Sequence, residues 1–160
     1  MFLLYLQNWI FKNTITQLSS NTNFVGYIKL GSITNEMTLT AGQAYISDFN
    51  LDNYICNSSK VKGVTTGIYC QENAVLFIIL SFFVTPSNLN KIFKFGYRVY
   101  RSSSDYTEYK TQYYTTNLLS KLHIYTNIQS IKVGEYIRPM IDGSTALGIL
   151  TNCIVSAVVF

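Results

Sequence analysis

A chain of 160 residues is ordinarily one domain and can bury roughly 70% of the surface its unfolded form would expose. Only 12% of the residues are charged, about half the usual share, whereas 48% are apolar and 15% aromatic, so part of the surface is expected to be hidden against other chains. The net charge of +4 is spread along the chain. Its closest pairs, Lys60 with Lys62, Lys91 with Lys94 and Arg98 with Arg101, form no basic stripe, which argues against a nucleic-acid partner.

Tyr, Phe, Ile, Val, Thr and Asn dominate and prolines number two, a composition that predicts an all-β protein. Residues 1–11 are apolar but have no basic leading region, carry Gln7 and Asn8, and precede no small-residue cleavage site. They read as a strand or arm packing on a neighbouring subunit. Residues 14–23 are polar and form a connector, so 1–23 are set apart from a domain over 24–160. Short segments then recur at 24–30, 36–40 and 44–47 between turn signals, without a 3.6-residue period, as in a sandwich or barrel.

The centre of the chain is residues 67–85. The apolar run 75–85 is too short for a bilayer, which needs ~20 residues, and its β-branched and aromatic content predicts a strand covered on both faces. Glu72 and Asn73 are read as a turn that pairs Ile68-Tyr69-Cys70 with this run as a hairpin. Residues 92–100 alternate, with Phe93, Phe95, Tyr97 and Val99 inward, and Ser102 to Asp105 turn the chain. Strands are expected at 106–116, 122–125, 128–131 and 133–141, with a single helical turn at 117–121. Asp142-Gly143 is a turn, and the Val-, Ile- and Ala-rich residues 146–160 read as a core strand.

Sites of chemistry are sparse. The one histidine, His123, lies between Leu122 and Ile124 and reads as a structural residue, and the eight acids fall mostly at turns. Cys56, Cys70 and Cys153 are far apart and odd in number, as expected of reduced thiols. Asp48, Asn50 and Asp52 offer oxygens at alternate positions but lack the glycine and last ligand of an EF-hand loop. No enzyme, metal or cofactor is therefore expected. The tyrosine-rich stretch offers a recognition surface for a receptor or glycan, with Arg98, Arg101, Tyr106, Tyr109, Tyr113 and Tyr114 as candidates. The same tyrosines could equally be half-buried strand aromatics or inter-subunit packing.

Gly67-Ile68-Tyr69 leading into Leu76-Phe77 and Phe82-Phe83, then Val133-Gly134-Glu135-Tyr136-Ile137, then Gly148-Ile149-Leu150 before an apolar strand, form an order of features with a known counterpart. Over residues 61–160 the chain resembles the jelly-roll superfamily of tumour necrosis factor and the globular heads of the first complement component. The resemblance implies a two-sheet antiparallel jelly-roll sandwich that assembles as a homotrimer, with Tyr69, Phe77, Phe83 and Phe160 assigned to trimer packing. Proteins similar to these also serve as spike, fibre or capsid-associated heads of viruses, and the Asn-, Ile-, Lys- and Tyr-heavy usage looks like that of an AT-rich genome. The expectation is a non-enzymatic viral structural protein, a spike, fibre head or minor capsid component, made in host cytoplasm and carried on the virion surface. Its expected partners are copies of itself, other capsid or spike proteins and a host receptor or glycan, with no membrane span. A carbohydrate-binding module or lectin of the same architecture is the alternative, and a small hydrolase the third reading.

Overall fold

Twelve strands and no helix make up the described residues of this computed structural model, which are 25–32, 36–42, 44–45, 51–143 and 145–160. The first sheet runs in the order β10 (Lys121–Ile131), β7 (Ala74–Pro86), β12 (Gly148–Val159), β1 (Gly26–Ser32) and β4 (Leu51–Cys56), and β2 (Met37–Leu39) also pairs β12. The second runs β5 (Val61–Val64), β6 (Gly67–Cys70), β11 (Tyr136–Asp142), β8 (Ile92–Tyr100) and β9 (Tyr106–Tyr114), with β3 (Ala44–Tyr45) against β11. All ladders between them are antiparallel. Among the described strands only β5–β6 and β8–β9 are hairpins, and most other connections cross from one sheet to the other.

The period-2 pattern of the strands decides which side chains meet between the sheets. Leu76, Ile78, Leu80, Phe82 and Val84 of β7 are all fully or nearly fully buried against a layer that includes Phe93, Phe95, Tyr97 and Val99 of β8. The Phe82 and Phe95 rings meet across the sandwich at 5.8 Å. Each such side chain contributes about 1.5–3 kcal/mol by leaving water, which makes this layer the main source of stability. The late apolar segment is a core strand as expected: β12 lies mid-sheet between β7 and β1, and its residues from Cys153 to Val159 are buried.

The proposed hairpin at the centre does not form. β6 and β7 belong to different sheets, and residues 71–73 carry the chain across the sandwich. The amides of Gln71 and Glu72 donate to the Lys60 carbonyl at 2.8 and 3.2 Å, and Asn73 Oδ1 accepts from the Val133 amide at 2.9 Å. The turn residues are thus held by other loops, and β6 pairs instead with β5 and β11. The 75–85 run is a strand, but only one of its faces is roofed by the second sheet. Its other face is half-buried at Phe77, Ile79 and Phe83 and exposed at Val75.

Two smaller expectations also change. Residues 122–125 and 128–131 are one continuous strand, β10, because the intervening Thr126 and Asn127 keep register with Ile79 and Ile78. The helical turn at 117–121 is absent, the Leu119 amide instead bonding to Asn117 Oδ1 at 3.2 Å in a bend. The predicted arm at 1–11, its connector, and Asp48 and Asn50 lie outside the described residues. Among the described residues no helix is long and apolar enough to cross a membrane.

Candidate functional site

Each sheet has an outward face, and their chemistries differ. On the second sheet the register aligns Lys62, Tyr69, Tyr136, Tyr100 and Tyr106 in one row across β5, β6, β11, β8 and β9. The neighbouring row holds Arg138, Arg98 and Glu108. Cations and rings interleave: Lys62 Nζ lies 5.0 Å from the Tyr69 ring centre, the Arg98 guanidinium 4.1 Å from Tyr106, and that of Arg138 4.9 Å from Tyr100 and 5.7 Å from Tyr136. The Tyr69 and Tyr136 rings are 4.7 Å apart and those of Tyr100 and Tyr106 5.3 Å.

The Arg98 side chain is fixed. Its Nε donates to Glu108 Oε1 at 2.7 Å and a terminal nitrogen to the Tyr100 hydroxyl at 3.2 Å, while Lys110 Nζ reaches Glu108 Oε2 at 2.5 Å. Burial alone raises the Glu108 carboxyl pKa, but the hydrogen bonds from Lys110 and Arg98 outweigh it and hold the carboxyl below its ordinary value. Beside the middle of the tyrosine row, Tyr100, Tyr136 and Arg138 join Arg101, Ser102 and Ser103 around a depression of about 400 Å³.

The recognition residues expected from the sequence divide. Arg98, Tyr106 and Tyr114 are on the outward face, with Tyr114 at the far end of β9. Arg101 sits in the β8–β9 turn, where its guanidinium makes two 2.9 Å bonds to Asp105. Tyr109 and Tyr113 point inward, because β9 alternates and Tyr106 fixes the outward phase. Tyr109 stacks on Tyr97 at 5.1 Å, and Tyr113 packs on His123 at 4.2 Å. Sequence reasoning missed Tyr69, Tyr100, Tyr136, Arg138 and Lys62 as members of one surface. Only cross-strand register unites them, and no spacing along the chain carries that signal.

The outward face of the first sheet is apolar. β7 contributes Phe77, Ile79 and Phe83, and β10 sets Ile128, Thr126, Ile124 and Leu122 opposite Phe77, Ile79, Ser81 and Phe83. Ile128 is 67% exposed and Ile124 45%, and on β4 Ile55, opposite Lys29, is 56% exposed. Burial lowers the Lys29 ammonium below its ordinary pKa. Of the four expected packing residues, Phe77 and Phe83 share this face. Phe160 follows β12 at its end, where its amide bonds to the Val75 carbonyl at 2.9 Å, and Tyr69 is on the opposite sheet.

His123 is buried among Phe95 and Tyr113, and its Nε2 has no hydrogen-bond partner. Burial and the nearby Lys121 charge push its pKa down to about 4, so it is neutral and structural at physiological pH. Burial, and secondarily the Glu135 charge, pushes the Cys70 thiol up to about 12, and burial also raises that of Cys153. All three cysteines are free thiols. Among the described residues no group of His, Cys, Asp and Glu could hold a metal ion.

No family model and no curated protein matches the sequence. Solved structures match its fold. Murine APRIL at pH 5.0 superposes with a TM-score of 0.60 at 6% identity, covering 83% of this chain and 98% of APRIL. Eiger TNF from S. frugiperda gives 0.54 at 10% identity, covering 83% and 92%. The chain has the tumour necrosis factor-like jelly-roll fold. The PRD1 vertex protein P5 is similar in the same way, with a TM-score of 0.55, 13% identity and coverage of 84% of this chain and 97% of P5. The likeness covers most of this chain and nearly all of each of those structures, a larger share than the residues 61–160 that carry the sequence resemblance.

Proposed function

We propose that this jelly roll is a structural protein of a virus particle, a spike, fibre head or minor capsid component, that assembles as a homotrimer through the outward face of its first sheet. The observation that carries the reading is the apolar surface built by Ile124 and Ile128 beside Phe77 and Phe83. Contiguous apolar surface rimmed by polar groups marks an interaction site, and a second and third copy of the same chain supply a matching one. Likeness to a solved vertex protein supports the particle role. In such an assembly the second sheet, with its tyrosines and arginines, faces outward and serves attachment to a host receptor or glycan.

Light scattering on the purified chain tests the assembly. The expected mass is that of three chains, constant over a wide concentration range, and a single-chain mass at micromolar concentration would overturn it. Immunoblotting of gradient-purified virions tests the particle role, with the chain expected to co-sediment with the particles.

A further inference from the structure

Four tyrosine rings on four adjacent strands, one ring per strand, form a row about 15 Å long at the ~4.8 Å strand spacing. A pyranose chain advances by about the same step per sugar, and the apolar face of a pyranose stacks on an aromatic ring much as a base does. The two rows, with Lys110 beside them on β9, carry Lys62, Arg98, Arg138 and Lys110 against one carboxylate, Glu108, which leaves three net positive charges there. The depression beside the middle of the row adds the Ser102 and Ser103 hydroxyls near Arg138, the kind of donors and acceptors that sugar hydroxyls require. Its volume of about 400 Å³ lies within the range of small-ligand sites.

We infer that this face binds an acidic oligosaccharide, its sugar rings lying along Tyr69, Tyr136, Tyr100 and Tyr106 and a carboxylate or sulfate reaching Arg138 at the depression. Arg98 is a positioning residue, locked by Glu108, whose guanidinium packs on the Tyr106 ring at 4.1 Å. The inference deepens the attachment part of the proposed function and names the class of molecule recognised. A single-stranded nucleic acid would also use rings and cations, but three net charges are few for a polyphosphate chain.

Calorimetric titration with hyaluronan hexasaccharide, with chitohexaose as the neutral comparator and a ten-residue oligothymidylate as the nucleic-acid probe, tests it. Hyaluronan is expected to bind at least tenfold more tightly than either. Tyr100→Ala together with Tyr136→Ala should abolish that binding, and Arg138→Gln should remove the preference over chitohexaose while leaving the circular dichroism spectrum unchanged. Absence of hyaluronan binding, binding that survives these substitutions in folded protein, or preference for the oligonucleotide would overturn the inference. Light scattering on the same samples reports on trimer assembly separately, since none of these substitutions lies on the first sheet.

Discussion

The imidazole of His123 lies 4.2 Å, centre to centre, from the ring of Tyr113 and 5.0 Å from that of Phe95, so a β10 side chain from one sheet closes an aromatic cluster of the other. Its pKa of about 4, below the ordinary 6.5, gives that contact a pH dependence. The unfolded chain takes up the proton first, so the contribution to stability is complete above pH 6.5 and is lost as the pH falls toward 4. Urea unfolding at constant protein concentration should show a loss of roughly 2–3 kcal/mol over this interval. His123→Phe should remove most of that acid dependence while retaining the fold.

Gly96 on β8 faces Lys110 on β9, and a side chain at this position would collide with the Tyr109 carbonyl. Gly96→Ala must push the two strands apart, at an expected cost of about 3 kcal/mol or more. Chemical denaturation monitored by circular dichroism would reveal it. The same substitution at Gly42, where a Cβ would meet nothing within 4 Å among the described residues, serves as the contrast in space; its φ of +78° adds a backbone penalty of about 1 kcal/mol.

Ile124→Glu combined with Ile128→Glu places charge on the apolar outward face without touching the core between the sheets. The expected outcome is a trimer that dissociates at least about 100-fold more readily, read by sedimentation over a concentration series, with strand content unchanged. An unaltered trimer would exclude this face as the interface.

Glu108→Gln removes the negative charge shared by Arg98 and Lys110 and turns one of its two acceptor oxygens into a donor. Because these bonds hold the carboxyl below its ordinary value, their contribution is present at neutral pH and fades as the pH falls through that lowered pKa. The substitution should cost about 1 kcal/mol at pH 7 and much less in strong acid, measured by thermal unfolding.

Iodoacetamide should spare Cys70 and Cys153 in the folded protein and modify both after unfolding, because each is buried and its thiol pKa is raised. Peptide mass mapping before and after denaturation checks this.

The β8 strand was legible to its bounds because Phe93, Phe95, Tyr97 and Val99 alternate with wetter residues, and the buried β12 was legible from composition. Glu72 and Asn73 misled because turn chemistry states that the chain bends but not to which sheet it returns; that is set by Lys60 and Val133, which are distant in sequence. The inward phase of Tyr109 and Tyr113 was hidden by polar Thr and Gln between them, since on an edge strand both faces tolerate polar residues. The tyrosine row on the second sheet is a property of register across four strands, which becomes visible only after folding.

The position of β12 bears on how the protein is made. It is inserted between β1 and β7, whose residues are translated long before it, so the first sheet stays split in two until residues 148–159 arrive to bridge the halves. Nascent chains halted short of that strand would expose two sticky, unzipped edges, which makes shielding by chaperones until β12 has been made the natural order of events.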